Sequence, residues 1–165
     1  RCAAPDVASV SLSDYSHRAV RIAAVSNEYF LLDTSAILTL IEDEPGAERV
    51  QEILATSRAL LTWSVLLETH YISRQEAGEA EADRRYALLK QLPAQILWAI
   101  DEPTVLTAAR LKATQHVSFA DAIVAAYAVQ HDAILVHKDP EYIALATEIK
   151  LEALPFKGGI AAGKT

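Results

Sequence analysis

Cysteine, methionine, glycine and positive charge are all scarce in this sequence of 165 residues. It has one cysteine, Cys2, no methionine and five glycines. A single cysteine excludes an intrachain disulfide framework and a cysteine-rich zinc site, and it fits the reducing conditions of the cytoplasm. The glycines do not have the spacing of a phosphate-binding loop that leads into a helix. No apolar run approaches the roughly 18 residues of a membrane-spanning helix, so we expect no membrane partner.

The charge balance is acidic, with 15 Lys and Arg residues against 22 Asp and Glu residues, a formal net charge of −7. This balance argues against a broad electrostatic binding surface for nucleic acid, because such a surface must be basic. It does not exclude a nucleic-acid enzyme, since a bound metal ion reverses the charge of a small site. Apolar residues make up 52% of the chain, which excludes a disordered protein, and the length predicts about one domain.

Short apolar runs alternate with helical patterns along residues 27–156. Strands are predicted at residues 29–32, 59–62, 95–99, 134–136 and 149–154. Helices are predicted at residues 36–41, 45–55, 63–75, 79–92, 103–113, 118–130 and 140–147. This alternation is typical of an α/β fold with a central parallel sheet covered by helices on both faces. We expect residues 1–26 to be an N-terminal extension of uncertain order and residues 157–165 a flexible C-terminal tail.

Four carboxylates stand where a site forms in such a sheet, beyond the carboxyl ends of the strands. Asp33 and Asp139 follow apolar strands, Asp121 begins an apolar helix, and Glu68 lies within another helix. Each has an ordinary structural alternative. Asp33 and Asp139 can cap helices, Asp121 can complete a capping box with Ser118, and Glu68 can face solvent.

The joint pattern is more informative than any single acid. Several converging carboxylates repel one another unless a hard divalent cation neutralises them. Magnesium or manganese suits a site made only of oxygen ligands, and such a cation can clamp a phosphodiester and activate water. The pattern therefore favours metal-dependent phosphodiester chemistry. Trp63 and Trp98 are expected to be core residues and not platforms for base stacking.

The segments around these acids resemble the motifs of PIN-domain ribonucleases. The opening motif is Leu-Leu-Asp-Thr-Ser-Ala at residues 31–36, and Leu67-Glu68 fits the helical glutamate. The most specific match is Ser-Phe-Ala-Asp-Ala-Ile-Val-Ala-Ala-Tyr-Ala at residues 118–128, and residues 136–142 match the last acidic motif more loosely. The resemblance covers roughly residues 27–156, and the compact length is similar to that of the toxin half of VapBC-type toxin–antitoxin pairs.

The resemblance implies a PIN-like three-layer fold and a metal-dependent endoribonuclease that uses Mg²⁺ or Mn²⁺. The family's catalytic acids carry over to Asp33, Glu68, Asp121 and Asp139. Among these, the implied metal ligands are Asp33, Asp121 and Asp139. Thr34 or Ser35 would support the first aspartate. The implied partners are an RNA substrate, a cognate antitoxin protein and a second copy of the chain, and the implied location is the cytoplasm.

Three positions depart from the family pattern. His137 stands where the family often has Thr or Ser, Glu141 where it has Asp, and Tyr142 where it has Phe. Because a glutamate is longer than an aspartate, Glu141 is expected to be auxiliary to the metal ligands. His137 is expected to disturb a water or phosphate contact.

The partner can also be described from the residues. An Arg of an antitoxin could form bidentate contacts with Asp33 or Asp121 and exclude the metal and the phosphate. A helix or strand of the same protein could cover the apolar groove beside Trp63, Leu66 and Leu67.

Two other functions stay open at this point. A structure-specific DNA nuclease would use the same acidic cluster, and a catalytically silent interaction domain would bind metal without cleaving any nucleic acid. A phosphoryl-accepting receiver-like domain is a weaker third, because the chain has no matching lysine motif.

Overall fold

The computed structural model of the protein describes residues 27–156, so the expected N-terminal extension and C-terminal tail lie outside the described residues. Five parallel strands form one sheet in the order β3-β2-β1-β4-β5. The strands are β1 (Tyr29–Leu32), β2 (Arg58–Thr62), β3 (Ala94–Leu97), β4 (Ile134–His137) and β5 (Leu151–Ala153).

The connections between the parallel strands are helical. After each strand, the chain must cross back to the edge of the sheet where that strand began. The helices are α1 (Thr34–Ile41), α2 (Ala47–Thr56), α3 (Trp63–Ala77), α4 (Glu79–Leu89), α5 (Glu102–Thr114) and α6 (Phe119–Gln130). A 3-10 helix, Pro140–Leu145, follows β4. None of the helices within residues 27–156 has the length and apolar character that a membrane crossing requires.

The core lies against the central strands β1 and β4. Residues 30–32 of β1 and 135–136 of β4 are buried, as expected of strands covered on both faces. Seven consecutive residues of α6, from Ala122 to Ala128, are buried as well. The register pairs Leu31 with Leu135, so both strands end at the same edge of the sheet.

The predicted α/β fold with a parallel sheet is confirmed, and each predicted strand and helix is present with ends that differ by a few residues. The short helix predicted at residues 140–147 is a 3-10 helix over residues 140–145. The placement of Trp98 in the core is wrong. Its side chain follows β3 and is 54% exposed, whereas Trp63 is half-buried and packs against the core.

Candidate active site

Asp33 lies directly after β1 and is the N-cap of α1, where its carboxylate accepts a hydrogen bond from the Ser35 amide. The residue is 4% exposed, although it is an acid. The Ser35 hydroxyl donates to Oδ2 at 2.6 Å, and the Tyr142 hydroxyl donates to Oδ1 at 3.0 Å. Hydrogen bonds thus satisfy both oxygens of a buried carboxylate without an ion-pair partner.

Burial raises the pKa of Asp33 to about 6, because the charged form loses its hydration. The hydrogen bonds from Ser35 and Tyr142 oppose this shift, and the negative charge of Asp121 adds to it. A buried acid with this pKa at a strand end is a candidate functional group.

Ser35 also links α1 to the loop after β4. Its hydroxyl accepts a hydrogen bond from the Lys138 amide at 2.9 Å while it donates to Asp33. The Lys138 ammonium is bound elsewhere, to Glu44 at 2.8 Å, so its charge is not directed at Asp33. The main chain after β4 therefore orients the serine that holds the first aspartate.

Glu68 is hydrogen-bonded to Thr34, the residue that follows Asp33 in the chain. Thr34 donates to its Oε2 at 2.7 Å and Tyr71 donates to its Oε1 at 3.0 Å. Sequence reasoning expected Thr34 or Ser35 to support Asp33; the structure shows that Ser35 does so and that Thr34 bonds Glu68. Glu68 is half-buried and not simply a solvent-facing residue of α3.

Asp121 lies in the first turn of α6, and its amide donates to the Ser118 hydroxyl at 3.1 Å. This is one half of the capping box that the sequence predicted. Burial and the charges of Asp33 and Asp121 raise the pKa of the Tyr142 hydroxyl. Burial lowers the pKa of His137, and the charge of Asp121 opposes this shift. The ion pairs within residues 27–156 involve other carboxylates, so neither Asp33 nor Asp121 is neutralised by a basic side chain there.

Asp139 lies at the end of β4, the strand next to β1, and is the N-cap of the 3-10 helix. Its Oδ1 accepts from the Glu141 amide at 2.8 Å. The Glu141 side chain is exposed. His137 is buried, and burial lowers its pKa. Because a carbonyl oxygen only accepts, the 2.7 Å contact from Nδ1 to the Asp139 carbonyl places the imidazole proton on Nδ1.

The metal ligands implied by the resemblance, Asp33, Asp121 and Asp139, remain a prediction. Within residues 27–156, no group of three or more His, Cys, Asp or Glu side chains has an arrangement that could hold a metal ion. The Asp33 and Asp121 pair still fits a magnesium-like cation, since Mg²⁺ is usually bound by one or two carboxylates together with waters and phosphates. Asp33 accepts three hydrogen bonds of the roughly four that a carboxylate can take, so one lone pair on Oδ1 is left for a cation.

The structure has one groove that borders Ser35 and Asp139 and another along α3. One, of about 530 Å³, is lined by Ser35, Lys138 and Asp139 together with the acids Glu42, Glu44 and Glu76. The other, of about 660 Å³, is largely apolar and contains Trp63, Leu66, Leu67, His70, Asp83, Tyr86 and Trp98. The sequence predicted an apolar groove beside Trp63, Leu66 and Leu67, whereas the acidic groove was not foreseen.

Sequence reasoning missed two hydroxyls of the site, those of Tyr142 and Tyr71. Tyr142 was noticed only as a departure from a family pattern, and its hydroxyl could have been suspected because a buried phenol usually finds an acceptor. Tyr71 is three residues after Glu68 on α3, a spacing that brings two side chains together on one helix face.

Several solved structures share the fold that contains this site. VapBC2 from Rickettsia felis, bound to a DNA fragment from its promoter, aligns with a TM-score of 0.64 and 12% identity, over 77% of this chain and 99% of that chain. VapBC-1 from nontypeable Haemophilus influenzae aligns with a TM-score of 0.61 and 20% identity, over 76% and 97%.

A third structure is VapC20 from Mycobacterium tuberculosis, described as a toxin that cleaves the sarcin–ricin loop. It aligns with a TM-score of 0.60 and 16% identity, over 76% of this chain and 99% of that chain. No curated protein sequence matches the chain. The sequence pattern of the PIN domain matches residues 30–148, which include all four acids of the predicted quartet. This match covers most of the chain, and the protein therefore belongs to the PIN domain family.

Proposed function

We propose that the protein is a metal-dependent endoribonuclease and the toxin of a cytoplasmic toxin–antitoxin pair. The observation that carries the proposal is Asp33, a buried carboxylate at the end of β1 that forms no ion pair within residues 27–156. A divalent cation would stabilise the charged form of this acid, and the negative charge of Asp121, which adds to the rise in the Asp33 pKa, would favour the same cation. The fold is shared with VapC20, which is described as a toxin that cleaves the sarcin–ricin loop. This likeness supports RNA as the proposed substrate.

Each residue of the site has its own role in this proposal. The cation, when bound, would polarise the phosphate and favour attack by water. Asp33 and Asp121 would hold it, with Asp139 at the neighbouring strand end as the third acid of the site. Glu68, held by Thr34 and Tyr71, would orient water by accepting a hydrogen bond. Hydrolysis would then join the water oxygen to phosphorus and release the 3′ oxygen of the preceding nucleotide.

The charge of the chain determines how RNA would bind. With a net charge of −7, the protein has no excess of cations to neutralise many phosphates, so contact would be limited to the few nucleotides around the cut. Binding should then depend weakly on salt, because the slope of affinity with salt follows the number of phosphates neutralised.

We propose a partner with two recognition elements, consistent with the VapBC complexes that share the fold. The acidic groove beside Ser35 and Asp139 suits a basic, partly disordered segment. An Arg of this segment would form bidentate contacts with Asp121. The apolar groove beside Trp63 and Leu67 suits a helix or strand of the same antitoxin. A homodimer is part of the proposal by family likeness, with no surface assigned.

The enzymatic part is tested with matched single-stranded RNA and DNA oligonucleotides, with Mn²⁺ or with EDTA. We expect cleavage of RNA that requires the metal and is abolished in Asp121→Asn. Asp132→Asn is the matched control, because Asp132 is an exposed acid paired with Lys150 at 2.9 Å and lies on another surface. Equal cleavage of DNA would favour the structure-specific DNA nuclease, and metal binding without cleavage of any cellular RNA would favour the silent interaction domain.

The partner is tested by co-purification from the native source, followed by cleavage assays with and without the bound protein. We expect a small protein with a basic segment that inhibits cleavage. A solitary protein that is harmless when overexpressed but cuts RNA in vitro would refute the toxin–antitoxin part and leave the nuclease part standing.

A further inference from the structure

The side chain of Tyr142 is completely buried, and its hydroxyl is used by the site. The residue belongs to the 3-10 helix after β4, and its solvent exposure is 0%. The hydroxyl donates to Oδ1 of Asp33 at 3.0 Å. The ring centroid is 5.0 Å from that of His137, another buried residue, so the ring has a fixed position from which the hydroxyl reaches the acid.

The donors to Asp33 are divided between its two oxygens. Ser35 supplies both donors to Oδ2, its amide at 3.1 Å and its hydroxyl at 2.6 Å. The Tyr142 hydroxyl is the donor to Oδ1. With Ser35 alone, the carboxylate would be held at one oxygen and could turn about its bond to Cβ. When Ser35 and Tyr142 both donate to Asp33, the plane of the carboxylate and the remaining lone pair of Oδ1 are fixed.

We propose that Tyr142 is a positioning residue that orients the Asp33 carboxylate as a ligand for a divalent cation. This inference rests on the proposed function, since it concerns the cation of that same site. The physical reason is that a ligand already fixed by a hydrogen bond loses less freedom when the cation binds, and such partners of metal-binding carboxylates typically contribute about 10–100-fold in affinity.

The test is the affinity of Tyr142→Phe for Mn²⁺, measured by calorimetry on the full chain. We expect binding at least about tenfold weaker than in the wild type. The matched control is Tyr127→Phe. Tyr127 is also buried, at 2% exposure, but its hydroxyl donates to the Ala99 carbonyl at 3.0 Å. The control should lose a buried hydroxyl and keep wild-type affinity. Unchanged or tighter binding by Tyr142→Phe would overturn the proposal.

A second readout separates positioning from a general loss of structure. Cleavage by Tyr142→Phe should reach half its maximum at about tenfold more Mn²⁺ and approach the wild-type rate at saturation. A rate that stays low at saturating Mn²⁺ would show a structural defect and overturn the proposal. If Tyr142→Phe does not fold, Ser35→Ala takes its place. It removes a donor from the other oxygen and should also weaken Mn²⁺ binding, and unchanged binding would count against the proposal.

The same measurements distinguish the two levels of inference. A wild-type protein that binds no Mn²⁺ would refute the proposed function and this role of Tyr142 together. Wild-type binding with equal affinity in Tyr142→Phe would refute only the role of Tyr142.

Discussion

The two oxygens of Asp33 have different partners. Oδ2 accepts a hydrogen bond from the Ser35 amide and caps α1, whereas Oδ1 accepts from the Tyr142 hydroxyl. A capping role and the proposed catalytic role are therefore compatible at this residue. The same holds for Asp139, whose Oδ1 caps the 3-10 helix while the residue lies at the end of the strand next to β1.

The two roles of Asp33 can be separated by Asp33→Asn. Asparagine is a good N-cap, so the helix should keep its cap and the protein should fold. Loss of the charge should abolish RNA cleavage and Mn²⁺ binding. Asp101→Asn is the matched control, because Asp101 caps α5 by accepting the Thr104 amide at 3.0 Å and lies outside the site. Cleavage assays and thermal melting of both variants check this. Wild-type turnover by Asp33→Asn would show that the residue is only a cap.

The raised pKa of Asp33 predicts an unusual dependence of stability on pH in metal-free protein. The pKa is about 6 in the folded chain against an ordinary value of 3.8, so between these values the folded state binds more protons than the unfolded state. The free energy of unfolding should therefore fall as pH rises through this window, by about 3 kcal/mol at 1.36 kcal/mol per unit.

Urea unfolding in EDTA from pH 4 to pH 7, for the wild type and for Asp33→Asn, measures this contribution. Asparagine does not titrate in this range, so the difference between the two proteins isolates Asp33 from the other acids. A difference that stays constant over the whole range would contradict the raised pKa.

Among the elements, α6 and the loop after β4 determine the position of the acids. The buried face of α6 from Ala122 to Ala128 fixes the helix against the sheet, and Asp121 lies just before that face. The amide of Lys138 donates to Ser35 and thereby joins the end of β4 to the start of α1. The positions of these acids thus depend on the packing of α6 and of the loop after β4, and on the hydrogen bond from the Lys138 amide to the Ser35 hydroxyl.

The cap of α6 should be measurable as an effect on stability. Ser118→Ala removes the acceptor of the Asp121 amide and should lower the free energy of unfolding by about 1 kcal/mol. Ser118→Asn should restore most of that loss, since asparagine caps well. Urea unfolding of the three proteins measures both effects. Equal stability of Ser118→Ala and the wild type would show that the first turn of α6 does not need the serine.

On the scale of the whole molecule, the parallel sheet is what brings distant residues together. Strands β1 and β4 are adjacent, although about a hundred residues separate Asp33 from Asp139 in the chain. The result is an acidic edge on an already acidic protein. Such an edge is stabilised by a bound cation, because ligands that bind only the folded state shift the folding equilibrium.

This predicts that Mn²⁺ raises the stability of the protein. At a hundredfold excess over the Kd, the gain is about 2.7 kcal/mol, which corresponds to a rise of several degrees in Tm. Thermal melting with Mn²⁺ and with EDTA measures it, and the double variant Asp33→Asn/Asp121→Asn is the control that should show no rise. Identical melting of the wild type in both conditions would argue strongly against a metal site.

The sequence by itself determined the α/β fold, since burial periodicity, caps and turns are local signals. Apolar residues on both faces of β1 and β4 required a covered parallel sheet, and Asp33, Asp121 and Asp139 were recognisable from their places after strands or at a helix start. The assignment of these acids as catalytic or metal-binding is still a prediction.

Only the tertiary structure decided which side chains meet. Thr34 bonds Glu68, Ser35 bonds Asp33, and the Tyr142 hydroxyl bonds Asp33 from about a hundred residues away in the chain. The tertiary structure also left Trp98 exposed. The physical reason is that hydrogen-bond partners and burial depend on distances of a few tenths of an ångström between elements, and these follow from the packing of the whole core, which no local pattern of residues contains.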